Sequence, residues 1–173
     1  FMVAQYAAAA LVSENKVLFE SKHGEDVAGN IFAMLRAMCG EKFRKLSVSL
    51  TLEEDLIEAW SGKLARYGVD FVNFIPYNSK EYLKALATAK YLVTDTSLPS
   101  YYIKRPEQRY LNTWHGTPLK AMGRIVPQRE YALGNIQRNF LIADYLLYQN
   151  EFSRDIFLDD YMLRELYEGK IML

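Results

Sequence analysis

The sequence contains two histidines, His23 and His115, and each closes a short apolar run and precedes a glycine. His115 lies in Trp114-His115-Gly116-Thr117-Pro118-Leu119-Lys120. An imidazole titrates near neutral pH and can take a proton from a hydroxyl nucleophile. Gly116, lacking a Cβ, lets a ligand come close to the backbone. Pro118 suits the first turn of a helix and Thr117 its cap, so free amide N–H groups are expected to face outward there. Lys120 adds positive charge, and the stretch Gly123 to Glu130 brings Arg124 and Arg129. Together these residues predict a general base beside a phosphate-binding turn. A histidine kept only to pack a strand-turn-helix joint is the competing reading. His23, in Ser21-Lys22-His23-Gly24, carries the same two readings at an earlier strand end.

Other chemistries fail on spacing. There is no Gly-x-Gly-x-x-Gly after the first strand, no Gly-x-x-x-x-Gly-Lys-Ser/Thr, no Gly-x-Ser-x-Gly and no His-Glu-x-x-His. A single cysteine, Cys39, excludes an intramolecular disulfide and a multi-cysteine zinc site. The acidic runs Glu53-Glu54-Asp55 and Asp159-Asp160 read as solvated faces of helices. Tyr101-Tyr102 suit either an acceptor groove or core packing.

The elements that must position these residues alternate in type. Strands are expected at 16–21, 46–50, 69–75, 90–95, 109–114 and 145–148, with another starting at 170. Helical spacing occupies 28–38, 51–66, 79–89, 133–142 and the stretch before Tyr161. Thr51 with Glu54 three residues on resembles a capping box, Ser79 a serine cap, and Asn150 or Ser153 the cap of the last helix. Strands separated by crossover helices imply a parallel sheet covered on both faces, a doubly wound, Rossmann-like α/β domain. In such sheets ligands bind beyond the carboxyl ends of the strands, where strand order switches. Ser21 to Gly24, Asp95 to Ser97 and His115 to Thr117 all fall there, as do the loops 94–108 and 123–130.

Bulk composition is that of a globular protein of one domain, half apolar and a quarter charged over 173 residues. Basic and acidic residues balance at 21 each, which supplies no field for nucleic acid. The alanine-rich opening, residues 1–15, has no basic flank and is too short to span a bilayer, so it reads as a linker or the end of a preceding helix. The chain is accordingly expected to be a segment of a longer protein.

The run Asn112 to Gly123, containing Trp-His-Gly-Thr-Pro-Leu-Lys, resembles the signature of the CDP-glycerol glycerophosphotransferases, the teichoic acid primases and polymerases. Lys16 to Gly24 resembles that family's first strand and Glu-Ser-x-x-Gly turn, Tyr91 to Pro99 its fourth strand and loop, and Ala143-Asp144-Tyr145 the strand leading to the interdomain crossing. The resemblance implies the amino-terminal, acceptor-side half (residues 16–173) of a two-domain GT-B fold. The carboxy-terminal domain, which would supply most of the CDP-glycerol site, is not expected in this chain, and the chain alone is expected to be inactive. It implies His115 as the base that deprotonates an acceptor hydroxyl, with CMP released. Gly116, Thr117, Lys120 and Arg124 would help place phosphate, and His23 would contact acceptor or phosphate. No cofactor or metal is implied; CDP-glycerol is the donor substrate. The implied acceptor is a lipid-linked polyol phosphate or disaccharide, met on the cytoplasmic face of the membrane. A CDP-ribitol or nucleotide-sugar donor, and a non-catalytic glycan- or polyol-phosphate-binding module, are the alternatives.

Overall fold

The structure is a computed structural model, and it describes residues 2–27, 29–127 and 133–173. Arg129 and Glu130, both named above, and position 28, the expected start of the first helical stretch, lie outside the described residues.

Seven strands form one parallel sheet: β1 (Ser13–Glu20), β2 (Ser47–Leu52), β3 (Asn73–Pro76), β4 (Ala89–Thr94), β5 (Arg109–Asn112), β6 (Tyr145–Leu147) and β7 (Lys170–Met172). Their order is β3-β2-β1-β4-β5-β6-β7. The chain winds outward from β1 through β2 to β3, then returns to the other side of β1 with β4. The switch point therefore lies between β1 and β4, and their carboxyl ends diverge into a crevice.

Alternation along each strand builds two cores. On one face Val17, Phe19, Val48, Leu50, Leu52 and Val93 pack against Ile31 and Leu35 of α2 (Gly29–Ala37) and Leu64 of α3 (Ile57–Ala65). On the other, Leu18, Leu92, Tyr110 and Leu146 meet α1 (Met2–Ala9), α4 (Lys80–Thr88), α5 (Gly134–Ile142) and α6 (Glu151–Asp160) through Val3, Leu86, Phe140 and Phe157. This is the doubly wound arrangement expected from the alternating pattern. Within the opening stretch, α1 packs on α4 and β1 begins at Ser13.

The expected caps divide. Ser79 accepts a hydrogen bond from the Tyr82 amide, and Asn150 accepts one from Ser153. Thr51 does not cap a helix. It is a β2 residue in register with Glu20 on one side and Ile75 on the other, and a 3₁₀ turn, Glu54–Leu56, leads into α3. Pairing on both edges extended the strand past the local capping signal. The third strand is also shorter than its apolar run. Val69 and Val72 are buried, but β2 offers partners only from Ser49 onward, opposite Asn73.

The largest departure follows His115. No helix starts at Pro118: residues 117–122 are irregular, and a 3₁₀ turn spans Gly123–Ile125. Thr117 therefore caps nothing. Leu119 is 94% exposed, so a helix here would have had no apolar face to bury, and so short a helix is not stable alone. The loop 94–108 is anchored by buried Gln108, whose amide donates to the Leu86 and Ala89 carbonyls at 2.8 Å each. Tyr102 donates to Gln108 at 2.9 Å and is core, whereas Tyr101 is exposed.

Candidate functional site

The carboxyl ends of β1, β4 and β5 enclose a cleft of about 310 Å³, lined by Lys22, Asn30, Asp95, His115, Gly116 and Gln149 among others. Its floor is a buried polar network. At the end of β5, Thr113 N donates to the Thr94 carbonyl at 2.9 Å, continuing the ladder one residue past the strand. Asn112 then turns the chain: its Oδ1 accepts from the Trp114 amide at 2.9 Å, and its Nδ2 donates to the Thr96 carbonyl at 2.6 Å and the Tyr110 hydroxyl at 3.1 Å. Trp114 takes a left-handed conformation, φ 49°, which costs energy in a bulky residue. Its indole, buried against Phe140 and Phe157, holds it there. The turn brings the next residue, His115, out of the sheet into the cleft.

His115 is oriented from two sides. Its ring stacks on Trp114 with centroids 4.4 Å apart, and Nδ1 lies 2.7 Å from the Asp95 main-chain carbonyl. A carbonyl oxygen only accepts, so Nδ1 carries the proton. In the neutral ring Nε2 then holds the free lone pair, the arrangement required of a base.

Asp95 joins both sides of the switch point. While its carbonyl engages His115, its buried carboxylate accepts from Ser21 Oγ at 2.6 Å and from the Lys22 amide at 2.8 Å. The turn it grips is strained, with Lys22 at φ 44° and His23 at φ 55°. The Lys22 ammonium pairs with Asp26 at 2.9 Å. The start of α2 forms the opposite wall, and Asn30 donates to the Thr113 carbonyl at 3.4 Å.

His23 belongs to a neighbouring cluster. Its Nδ1 lies 3.4 Å from Oε1 of Glu20, a fully buried residue whose Oε2 accepts from the Tyr82 hydroxyl at 2.5 Å. The His23 contact is long for a hydrogen bond, and Oε1 has no better-aligned donor. Hydrogen bonding to Glu20, followed by charge attraction from Glu20, Glu25 and Asp95, raises the His23 imidazole above its ordinary range against the opposing cost of burial. Burial first, and then Glu20, push the Tyr82 phenol well above its usual value, so it remains a donor.

Of the residues singled out in the sequence, His115 and Gly116 line the cleft. Thr117 and Lys120 are exposed on the irregular segment that follows. Arg124 lines a different hollow, beside Asp159 and Arg164 at the end of α6. Asp95, Lys22, Asn30 and Gln149 were not assigned roles from sequence. A buried aspartate closing the strand next to the switch point was the available signal for Asp95. Asn30 and Gln149 carried none, since only folding brings them near His115. Among the described residues no three metal-ligating side chains cluster.

The pattern for CDP-Glycerol:Poly(glycerophosphate) glycerophosphotransferase matches residues 2–169. The chain belongs to this family. It is 29% identical to the teichoic acid glycerol-phosphate transferase of Staphylococcus aureus (strain NCTC 8325 / PS 47), over 85% of the chain and 37% of that protein. It is likewise 29% identical to the teichoic acid poly(glycerol phosphate) polymerase of Bacillus subtilis (strain 168), over 84% of the chain and 19% of the relative. The wall teichoic acid polymerase TagF superposes with a TM-score of 0.74 at 22% identity, covering 99% of this chain and 41% of that one. The glycerophosphotransferase fold thus extends over nearly the whole chain, while the chain spans well under half the length of these relatives.

Proposed function

We propose that this chain is the acceptor side of a glycerophosphotransferase of teichoic acid synthesis, with His115 as general base. The observation that carries the reading is the 2.7 Å contact of His115 Nδ1 with the Asp95 carbonyl, which reserves Nε2 for proton abstraction. An acceptor hydroxyl in the cleft gives its proton to Nε2 while its oxygen attacks the β-phosphorus of CDP-glycerol. The bond from that phosphorus to the bridging oxygen breaks, and CMP leaves with the electron pair. The product is a phosphodiester longer by one glycerol phosphate. Gly116 permits close approach of the acceptor, and Lys22, paired with Asp26, and the start of α2 line the cleft in which the phosphate would lie. Lys120 and Thr117, on the segment after Gly116, would reach the donor side; Arg124 stands in a separate hollow beside Asp159 and Arg164.

The nucleotide would be held by a second domain, the GT-B arrangement that the family resemblance implies. The names of the relatives support a polyol-phosphate acceptor. A lipid-linked acceptor would place the protein on the inner membrane face as a peripheral protein; no described helix is long and apolar enough to cross a membrane. The test is CMP release from CDP-glycerol and a glycerol-phosphate acceptor by the polypeptide carrying this chain with its donor domain. His115→Ala should lower turnover by about 10²–10⁴ with folding intact. Turnover within a factor of a few of the parent would refute the assignment.

A further inference from the structure

Next to the His115 cleft, the end of β1 carries a second cluster for which proton abstraction by His115 has no use. Glu20 is fully buried on the sheet face where its strand neighbour is the apolar core residue Leu18. Its neighbour in register, Thr51, is also fully buried; Thr51 Oγ1 has no hydrogen-bond partner, and Glu20 Oε1 has none apart from the long 3.4 Å contact with His23. A carboxylate is kept in such a place only if something compensates it. Tyr82 supplies one hydrogen bond, and the group facing the other oxygen is His23. The backbone is strained to put it there: Lys22 and His23 are consecutive left-handed residues without the freedom of glycine. Asp95, through Ser21 and Lys22, holds that strain in place.

His23 turns Nδ1 toward Glu20, so Nε2, on the far side of the ring, points away from it. The side chain is 47% exposed. Around it stand Tyr77, at a ring distance of 6.5 Å, and beyond that Tyr101, exposed and donating to Asn78 at 3.3 Å. Asn78 is left-handed as well, at φ 58°. Two left-handed turns and the partly buried Tyr77 ring thus adjoin the half-exposed imidazole, and exposed Tyr101 is tied to the same loop through Asn78. The charged groups facing His23 are Glu20 from β1, Glu25 from its own turn and Asp95 from the end of β4, and all three favour the imidazolium. The nearby cation Lys22 is engaged by Asp26, and Asp95 by Ser21 and the Lys22 amide.

We infer that His23, backed by Glu20 and Tyr82 and framed by Tyr77 and Tyr101, is a second acceptor subsite that binds a phosphodiester oxygen of an extended polyol-phosphate chain, beyond the unit whose hydroxyl reacts at His115. The inference rests on the acceptor reading of the cleft. His23 is the contact, and Glu20 is a positioning residue whose carboxylate also favours the protonated imidazole. The Lys22 backbone, shared by the cleft and the turn, connects the two subsites.

Calorimetry on the polypeptide carrying this chain with its donor domain, without CDP-glycerol, tests it, with a glycerol-phosphate trimer and glycerol 3-phosphate as probes. His23→Asn, whose side chain tolerates the left-handed turn, should weaken the trimer about tenfold, the loss expected for one charge-assisted hydrogen bond. Glycerol 3-phosphate, short enough to occupy the cleft alone, should change less than about twofold. Tyr101→Ala, at an exposed position, should weaken the trimer roughly threefold. Trimer affinity should fall as pH rises through the raised His23 value, and Glu20→Gln should move that fall to lower pH. Absence of trimer binding, trimer affinity unchanged in His23→Asn, or affinity indifferent to pH would each overturn the subsite. Loss of glycerol 3-phosphate binding in His115→Ala with no effect of His23→Asn would sink the subsite and leave the cleft reading standing. The reverse pattern would retain an anion site at His23 and remove the cleft from it.

Discussion

Asn112 is the residue on which the position of His115 most depends, and Asn112→Ala tests that directly. Its side chain accepts from the Trp114 amide at 2.9 Å and donates to the Thr96 carbonyl at 2.6 Å and the Tyr110 hydroxyl at 3.1 Å. Tyr110 keeps a second partner, since its hydroxyl donates to Asn139 at 3.0 Å. The Trp114 N–H and the Thr96 carbonyl have no such reserve among the described residues, and both residues are buried. Each orphaned group costs about 1–3 kcal/mol, so the substitution should destabilise the chain by about 2–6 kcal/mol. That is a large part of the roughly 5–15 kcal/mol that holds a domain of this kind together. With a urea slope of about 1–3 kcal/mol/M, the unfolding midpoint should fall by about 1 M or more at unchanged slope. A loss below about 1 kcal/mol would show that water or a shifted neighbour satisfies these groups, and would refute the view that Asn112 anchors the turn.

Gly123 sits at φ 62°, and a Cβ there would be driven into the backbone of Asp160. Gly123→Ala should therefore lower thermal stability by more than about 1 kcal/mol, seen as a reduced melting midpoint. The two observed helix caps should each matter modestly: Ser79→Ala and Asn150→Ala should each cost about 1 kcal/mol in urea unfolding, whereas Thr51→Ala should show no helix-cap signature. The His23–Glu20 pair predicts a pH dependence of stability. Because folding raises the His23 value, its contribution is complete below the unfolded value near 6.5 and is lost as pH rises through the folded one. Unfolding midpoints measured from pH 6 to 9 should show that decline in the parent and not in His23→Asn.

Much of the architecture was legible because the apolar periodicity is strong. Seven strand positions and the helices between them follow from alternation and spacing, and a parallel sheet buried on both faces follows from those. Legibility failed where tertiary pairing competed with local signals. Thr51 with Glu54 looks like a helix start, yet Thr51 has strand partners on both sides. Thr117-Pro118 also looks like a helix start, but Leu119 has no core to pack against and the segment stays irregular. The histidines were legible as strand-end residues next to glycine. Their surroundings were not, because Glu20 in a strand pattern reads as an ordinary polar alternation until it is seen to be fully buried.

By itself, the order of residues determined the family, the doubly wound class and the location of His115 and His23 at the carboxyl edge of the sheet. Each depends on local periodicity or contiguous motif, and both are properties of a linear pattern. Only the tertiary structure decided which edge residues meet. Returning β4 to the side of β1 puts Asp95 between strands distant in sequence, where its carbonyl orients His115 and its carboxylate holds the Lys22–His23 turn. A pairing that spans 73 residues along the chain leaves no trace in spacing, because the crossover that creates it constrains only where its ends lie.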